Sequence, residues 1–158
     1  MLFRLLLAIC LSLGLLQTGM SATLKAGDLA PNFSLKDTHG KTFSLAQRLK
    51  QGHVMLIFWE LECVYCFSHI KDFNAIHKKY QGKLSLAGIN FLGEYADDVA
   101  QYAKDNNVQY TLLAERLNNI DVAEAYKIIG SPTMVLIAPD RKILYFGYEI
   151  PDLDAWIN

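Results

Sequence analysis

Apolar and polar positions along this chain fall into segments whose period switches from two to between three and four and back again. Phe33-Ser-Leu35 and Lys41-Thr-Phe43 flank the polar cluster Asp37-Thr-His-Gly40, the pattern of two short strands around a turn. Ser44 then opens a short helix, Leu45 to Lys50, that Gly52 stops. Val54 to Trp59 is an unbroken apolar run of strand length, expected of a strand covered on both faces. After it, Ile70, Phe73, Ile76, His77 and Tyr80 recur at helical spacing, which predicts a helix over 63–80 ended by Gly82. Leu84 to Asn90 reads as the next strand, Ala96 to Asp105 as a helix, and Val108 to Leu113 as a short strand or extended segment. Ile120 to Ile129 predicts a helix closed by Gly130. Thr133 to Ile137 and Lys142 to Phe146 form the strongest hairpin signal, and Asp152 to Asn158 a short last helix. This order predicts an α/β domain with a mixed sheet.

The start of the chain is of another kind. Arg4 is followed by a run of about a dozen apolar residues, Leu5 to Leu16, ended by Gln17, Thr18 and Gly19: the layout of a secretory signal, too short for a spanning helix of roughly 20 residues. Residues 1–22 are therefore expected to be a signal peptide or, uncleaved, an anchor at the outer face of a membrane. In both cases residues 23–158 work outside the cytoplasm.

Composition narrows the function. The 158 residues are 52% hydrophobic and 20% charged, enough for one globular domain, and no repeat or linker divides residues 25 onward. Fifteen Lys+Arg against sixteen Asp+Glu leave no basic field for a nucleic-acid backbone. Cys10 lies within the apolar run and reads as a hydrophobic filler that leaves with the signal. Cys63 and Cys66 remain, so any disulfide within the domain joins those two.

Cys63-Val-Tyr-Cys66 sits directly after a buried strand and opens a helix. A thiol there faces unpaired backbone N–H groups, which stabilise its thiolate and make Cys63 the attacking sulfur. Cys66, one turn on, is placed to resolve a mixed disulfide on Cys63 and release the partner, a two-electron exchange that needs no cofactor. Other readings are weaker. A zinc site lacks two ligands at matching spacing, since His39, His53, His69 and His77 do not supply them. A c-type haem site needs His after Cys66, where Phe67 stands. A structural disulfide across so short a loop gains little chain entropy.

These residues resemble the thioredoxin-fold family, and within it the exported TlpA/ResA-like branch of thiol:disulfide oxidoreductases. The resemblance runs from about Gly27 to Gly147. It rests on Gly27-Asp-Leu-Ala-Pro-Asn-Phe33, Asp37-Thr-His-Gly-Lys41, Phe58-Trp59, Cys63-Val-Tyr-Cys66 and Tyr126-Lys-Ile-Ile-Gly-Ser-Pro-Thr133, in that order. It implies a central mixed sheet flanked by helices with an N-terminal β-hairpin extension. It also implies a cis Ser131–Pro132 bond beside the Cys63 sulfur, with the Ser131 backbone pairing with a substrate strand, Trp59 packed beneath the redox loop, and Tyr65 on the substrate surface. The implied partners are protein thiols and disulfides of the cell envelope, with a membrane-embedded thiol relay as electron donor; the implied location is the periplasm.

The chain departs from the branch around the motif. Glu62 stands where a bulky residue is common, and with Glu60 it places two acids within three residues of the thiol. Pointed toward it, they favour the disulfide and make the pair reducing; pointed to water, they are screened. His69 replaces the branch's buried Glu, and shares a helix face with Cys66, where it is a candidate acceptor for the resolving thiol's proton. Ile57 occupies the position of the buried Asp of cytoplasmic thioredoxins. The expected function is disulfide exchange with envelope proteins, as a reductant. The rivals are a peroxiredoxin, which needs Thr or Ser where Glu60 stands, and a non-catalytic thioredoxin-like module that binds a metal or a partner.

Overall fold

A computed structural model describes residues 23 to 157, so the expected signal peptide over residues 1–22, Cys10 within it and the chain's last residue lie outside the described residues. The elements follow the chain as β1 (Ser34–Lys36), β2 (Thr42–Ser44), α1 (Leu45–Leu49), β3 (His53–Trp59), α2 (Val64–Ser68), α3 (Ile70–Lys79), β4 (Leu84–Asn90), α4 (Ala96–Asp105), β5 (Thr111–Leu113), α5 (Leu117–Ala125), β6 (Thr133–Ile137) and β7 (Ile143–Gly147). One 3-10 turn, Leu153–Ala155, closes the described chain. Five strands make one sheet in the order β5-β4-β3-β6-β7. β3 pairs with β4, and β4 with β5, in parallel; β6 runs antiparallel to both β3 and β7. The sheet is thus mixed, and its central strand, β3, leads toward Cys63.

Period-two alternation in β3 divides the core. Val54, Leu56 and Phe58 join the layer under α1 and α5, whereas Met55, Ile57 and Trp59 join the layer that contains Phe73, Val99, Cys63 and Cys66. Helices on both faces explain why β3 reads as continuously apolar. The hairpin β1–β2 is a separate antiparallel pair whose surroundings cap the sheet edges. Asp37 bridges to Leu113 at one edge and Leu29 to Lys142 at the other, leaving less unpaired backbone to recruit another strand.

Three predicted elements differ from those observed. The helix expected over 63–80 is broken at His69 into α2 and α3. Ser68 Oγ donates to the Tyr65 carbonyl at 2.9 Å, the same oxygen that His69 N–H reaches at only 3.3 Å, so a side chain competes with the helical ladder at the break. The helix expected over 120–129 occupies Leu117–Ala125 instead. It starts early because Asn119 is buried, accepting the Glu115 N–H and donating to the Asn90 and Leu113 carbonyls, bonds that offset the poor helix propensity of Asn. It ends early because Lys127 turns left-handed, at φ 57°. The last helix is only the 3-10 turn, in which Asp152 accepts the Asp154 N–H at 3.2 Å.

Candidate active site

The chain leaves the sheet at Trp59 and turns through Glu60, Leu61 and Glu62 before α2 begins. Two contacts from elsewhere hold that turn. Leu61 N–H donates to Glu94 Oε1 at 3.2 Å, and Glu94 N–H in turn donates to the Asn90 side chain at 2.9 Å. Glu60 accepts the Ser131 hydroxyl at 2.7 Å, tying the turn to the residue before Pro132. Cys63 is the N-cap of α2, and its Sγ accepts the Cys66 N–H at 3.0 Å. A sulfur can stand in for a capping oxygen because the first N–H groups of a helix have no partner of their own.

Cys63 and Cys66 form a disulfide, their Cα atoms 5.2 Å apart. Both sulfurs belong to the apolar layer, with Cys63 the more accessible at 8% exposure against 4%. Trp59 is buried in the same layer, with its ring 4.8 Å from that of Tyr102 and its indole across Gly88 of β4.

Two clefts open around α2, the first of them lined by Cys63. One contains Leu61, Glu62, Cys63, Val64, Phe67 and Tyr102. The other brings Tyr65, His69, Ser131 and Pro132 together with Tyr148 and Glu149, and the Ser131–Pro132 peptide bond is cis. Of the residues singled out in the sequence, Tyr65, His69, Ser131 and Pro132 share one cleft and Glu62 and Cys63 the other, whereas Trp59 lines neither. Glu60 is half-buried and engaged with Ser131; Glu62 is exposed. His69 Nδ1 lies 3.0 Å from Asp72 Oδ2 at the helix break.

Asp72, Tyr148 and Glu149 are the site residues that sequence reasoning missed. Asp72 was findable, since an acid three residues after His69 on one helix shares its face. So were Tyr148 and Glu149: Gly147 pairs with Met134, which brings the residues after β7 beside Pro132. The loop 91–95 is expected at the surface around the sulfur pair, but the bond from Leu61 to Glu94 leaves no sequence signal, because it spans 33 positions. Burial leaves Tyr102 Oη and Trp59 Nε1 without partners and pushes the Tyr102 phenol up from its ordinary range. Among the described residues, no group of three or more His, Cys, Asp or Glu is arranged to hold a metal ion.

Comparison with known proteins agrees with this geometry. Residues 26–146 match the model of the AhpC/TSA family. The chain is 31% identical over 125 residues to the thiol-disulfide oxidoreductase ResA of Bacillus subtilis, a match covering 77% of this chain and 66% of that protein. It is 34% identical over 98 residues to the chloroplastic peroxiredoxin Q of Triticum aestivum, covering 60% of this chain and 43% of the relative. The chain thus spans just under two thirds of the first relative and less than half of the second. Among solved structures, the thioredoxin domain of a thiol-disulfide oxidoreductase from Bacteroides vulgatus superposes with a TM-score of 0.76 at 21% identity, covering 86% of this chain and 100% of that one. A mixed sheet with a Cys-x-x-Cys pair at the end of its central strand, over the matched length, settles the family: the chain belongs to the AhpC/TSA family and has a thioredoxin-like α/β fold.

Proposed function

We propose that this protein is a thiol–disulfide oxidoreductase that works outside the cytoplasm and reduces disulfides of other cell-envelope proteins. The observation that carries the proposal is the Cys63–Cys66 disulfide, whose more accessible sulfur caps a helix beside a cleft containing Ser131 and Pro132. In the reduced protein, the Cys66 N–H that meets Sγ would hydrogen-bond a Cys63 thiolate, and charge-assisted bonds are the stronger ones. That thiolate attacks one sulfur of the partner disulfide; the partner S–S bond breaks, a Cys63–partner S–S bond forms, and the other partner sulfur leaves and takes a proton. Cys66 then gives its proton to His69, which Asp72 orients, and attacks Cys63 Sγ; the Cys63–partner bond breaks, and His69 passes the proton to the departing partner sulfur. The partner departs with two electrons and two protons gained, and the chain is left with its own disulfide.

The reducing direction rests on similarity to the branch, since Glu62 is exposed to water and Glu60 is bound to the Ser131 hydroxyl, which leaves their charges largely screened from the attacking sulfur. By similarity to its branch, a membrane-embedded thiol relay returns the electrons. The backbone of Ser131 is the proposed pairing edge for the partner strand, with Tyr65 beside it. The apolar run of residues 1–22 supports export to the periplasm, cleaved or anchored there.

The deciding experiment is the reduction potential of the Cys63–Cys66 pair, by equilibration against glutathione and dithiothreitol with thiol trapping. A value near or below roughly −250 mV is expected, and one near −120 mV would reverse the direction of electron flow. Failure to titrate as a reversible pair would replace the exchange reaction with a binding role. In parallel, Cys66→Ser should accumulate mixed disulfides on Cys63, and Cys63→Ser should accumulate none. Consumption of hydrogen peroxide by the reduced protein at a rate that outruns disulfide exchange would favour a peroxiredoxin instead.

A further inference from the structure

Each of the two clefts around α2 combines a carboxylate with aromatic rings and contains no Lys or Arg. Glu62 stands with Phe67 and Tyr102 in the first, Glu149 with Tyr65 and Tyr148 in the second. Neither carboxylate is ion-paired within the described residues, and the one cation lining either cleft when protonated, His69, already faces Asp72. The platform between is apolar and open, with Val64 76% and Tyr65 71% exposed. An aromatic face beside an unpaired carboxylate is the setting that favours a Lys ammonium or Arg guanidinium, through ring quadrupole and ion pair together. A negative side chain placed there would meet like charge with nothing to offset it.

The geometry points to a partner whose target cysteine lies in a cationic segment, with Lys or Arg on both sides of that cysteine and apolar residues against the Val64–Tyr65 platform. This rests on the proposed exchange reaction. The chain as a whole is close to neutral, at −1, so the selection is local to the rim and not a property of net charge.

The test uses three peptides of one length, each carrying a single cysteine as a mixed disulfide with thionitrobenzoate and flanked by Lys, Gln or Glu, with neutral hydroxyethyl disulfide as the reference. Reduced protein should release thionitrobenzoate from the Lys peptide about tenfold faster than from the Glu peptide at low salt, the ratio shrinking as ionic strength rises. The double variant Glu62→Gln/Glu149→Gln should cut that ratio at least about threefold. Asp121→Asn/Glu124→Gln on exposed positions of α5 should leave it unchanged. Equal rates for all three peptides, a faster Glu or Gln peptide, or the same loss of ratio in both double variants would overturn the inference. Failure to reduce hydroxyethyl disulfide as well would instead overturn the exchange reaction on which it rests.

Discussion

Gly88 shows how closely the floor of the site is packed. A Cβ added there would stand 2.6 Å from Leu112 Cδ2, closer than side-chain carbons approach, and 3.0 Å from Trp59 Nε1, a tight contact that the indole would have to ease. Gly88→Ala should therefore cost about 1–3 kcal/mol through overpacking. Because the Trp59 indole must also give way by a few tenths of an ångström, its emission should change too. Urea unfolding and fluorescence in a Trp156→Phe background would check both; an unchanged midpoint and spectrum would mean that Trp59 has room to move. Residue identity made the sulfur pair and His69 legible in the sequence. It could not reveal that Glu60 binds Ser131 or that Glu94 binds the turn, because each depends on segments 71 and 33 positions apart meeting in space.

Helix ends depend on backbone conformation as much as on apolar spacing. α5 closes with Lys127 at φ 57°, its N–H on the Glu124 carbonyl at 3.0 Å and the Ile128 N–H on the Ala123 carbonyl at 3.0 Å. That pattern of crossed bonds favours glycine at the left-handed position. After α4 the same pattern recurs with Asn107 at φ 51°, a residue that tolerates the conformation. Lys127→Gly should raise stability by about 0.5–1 kcal/mol, read as a higher urea midpoint with unchanged slope. A lower midpoint would show that the lysine side chain contributes something its backbone does not. Strands were the more legible elements: Leu84–Asn90 and Thr133–Ile137 fall where the apolar runs end, because core layers on both faces of the sheet leave them no polar face.

At the scale of the whole molecule, acid should loosen the fold through His53, where β3 enters the sheet. Burial holds its imidazole below the ordinary value near 6.5. The folded state thus accepts the neutral ring and the unfolded chain binds the proton more readily. The stability tied to this group is whole above about pH 6.5 and is lost as pH falls through the lowered native value. The thermal midpoint of the oxidised protein should drop between about pH 7.5 and about pH 5, and His53→Gln should flatten part of that slope; a slope identical to the parent's would exclude His53 as its source. The sequence by itself determined the alternation of strands and helices, the buried central strand and the single sulfur pair that follows it, since each is written in local spacing and residue type. Only the tertiary structure decided where helices break, which carboxylates line the clefts and which side chains hold the redox turn, because strand register and long-range hydrogen bonds bring together residues that no local pattern connects.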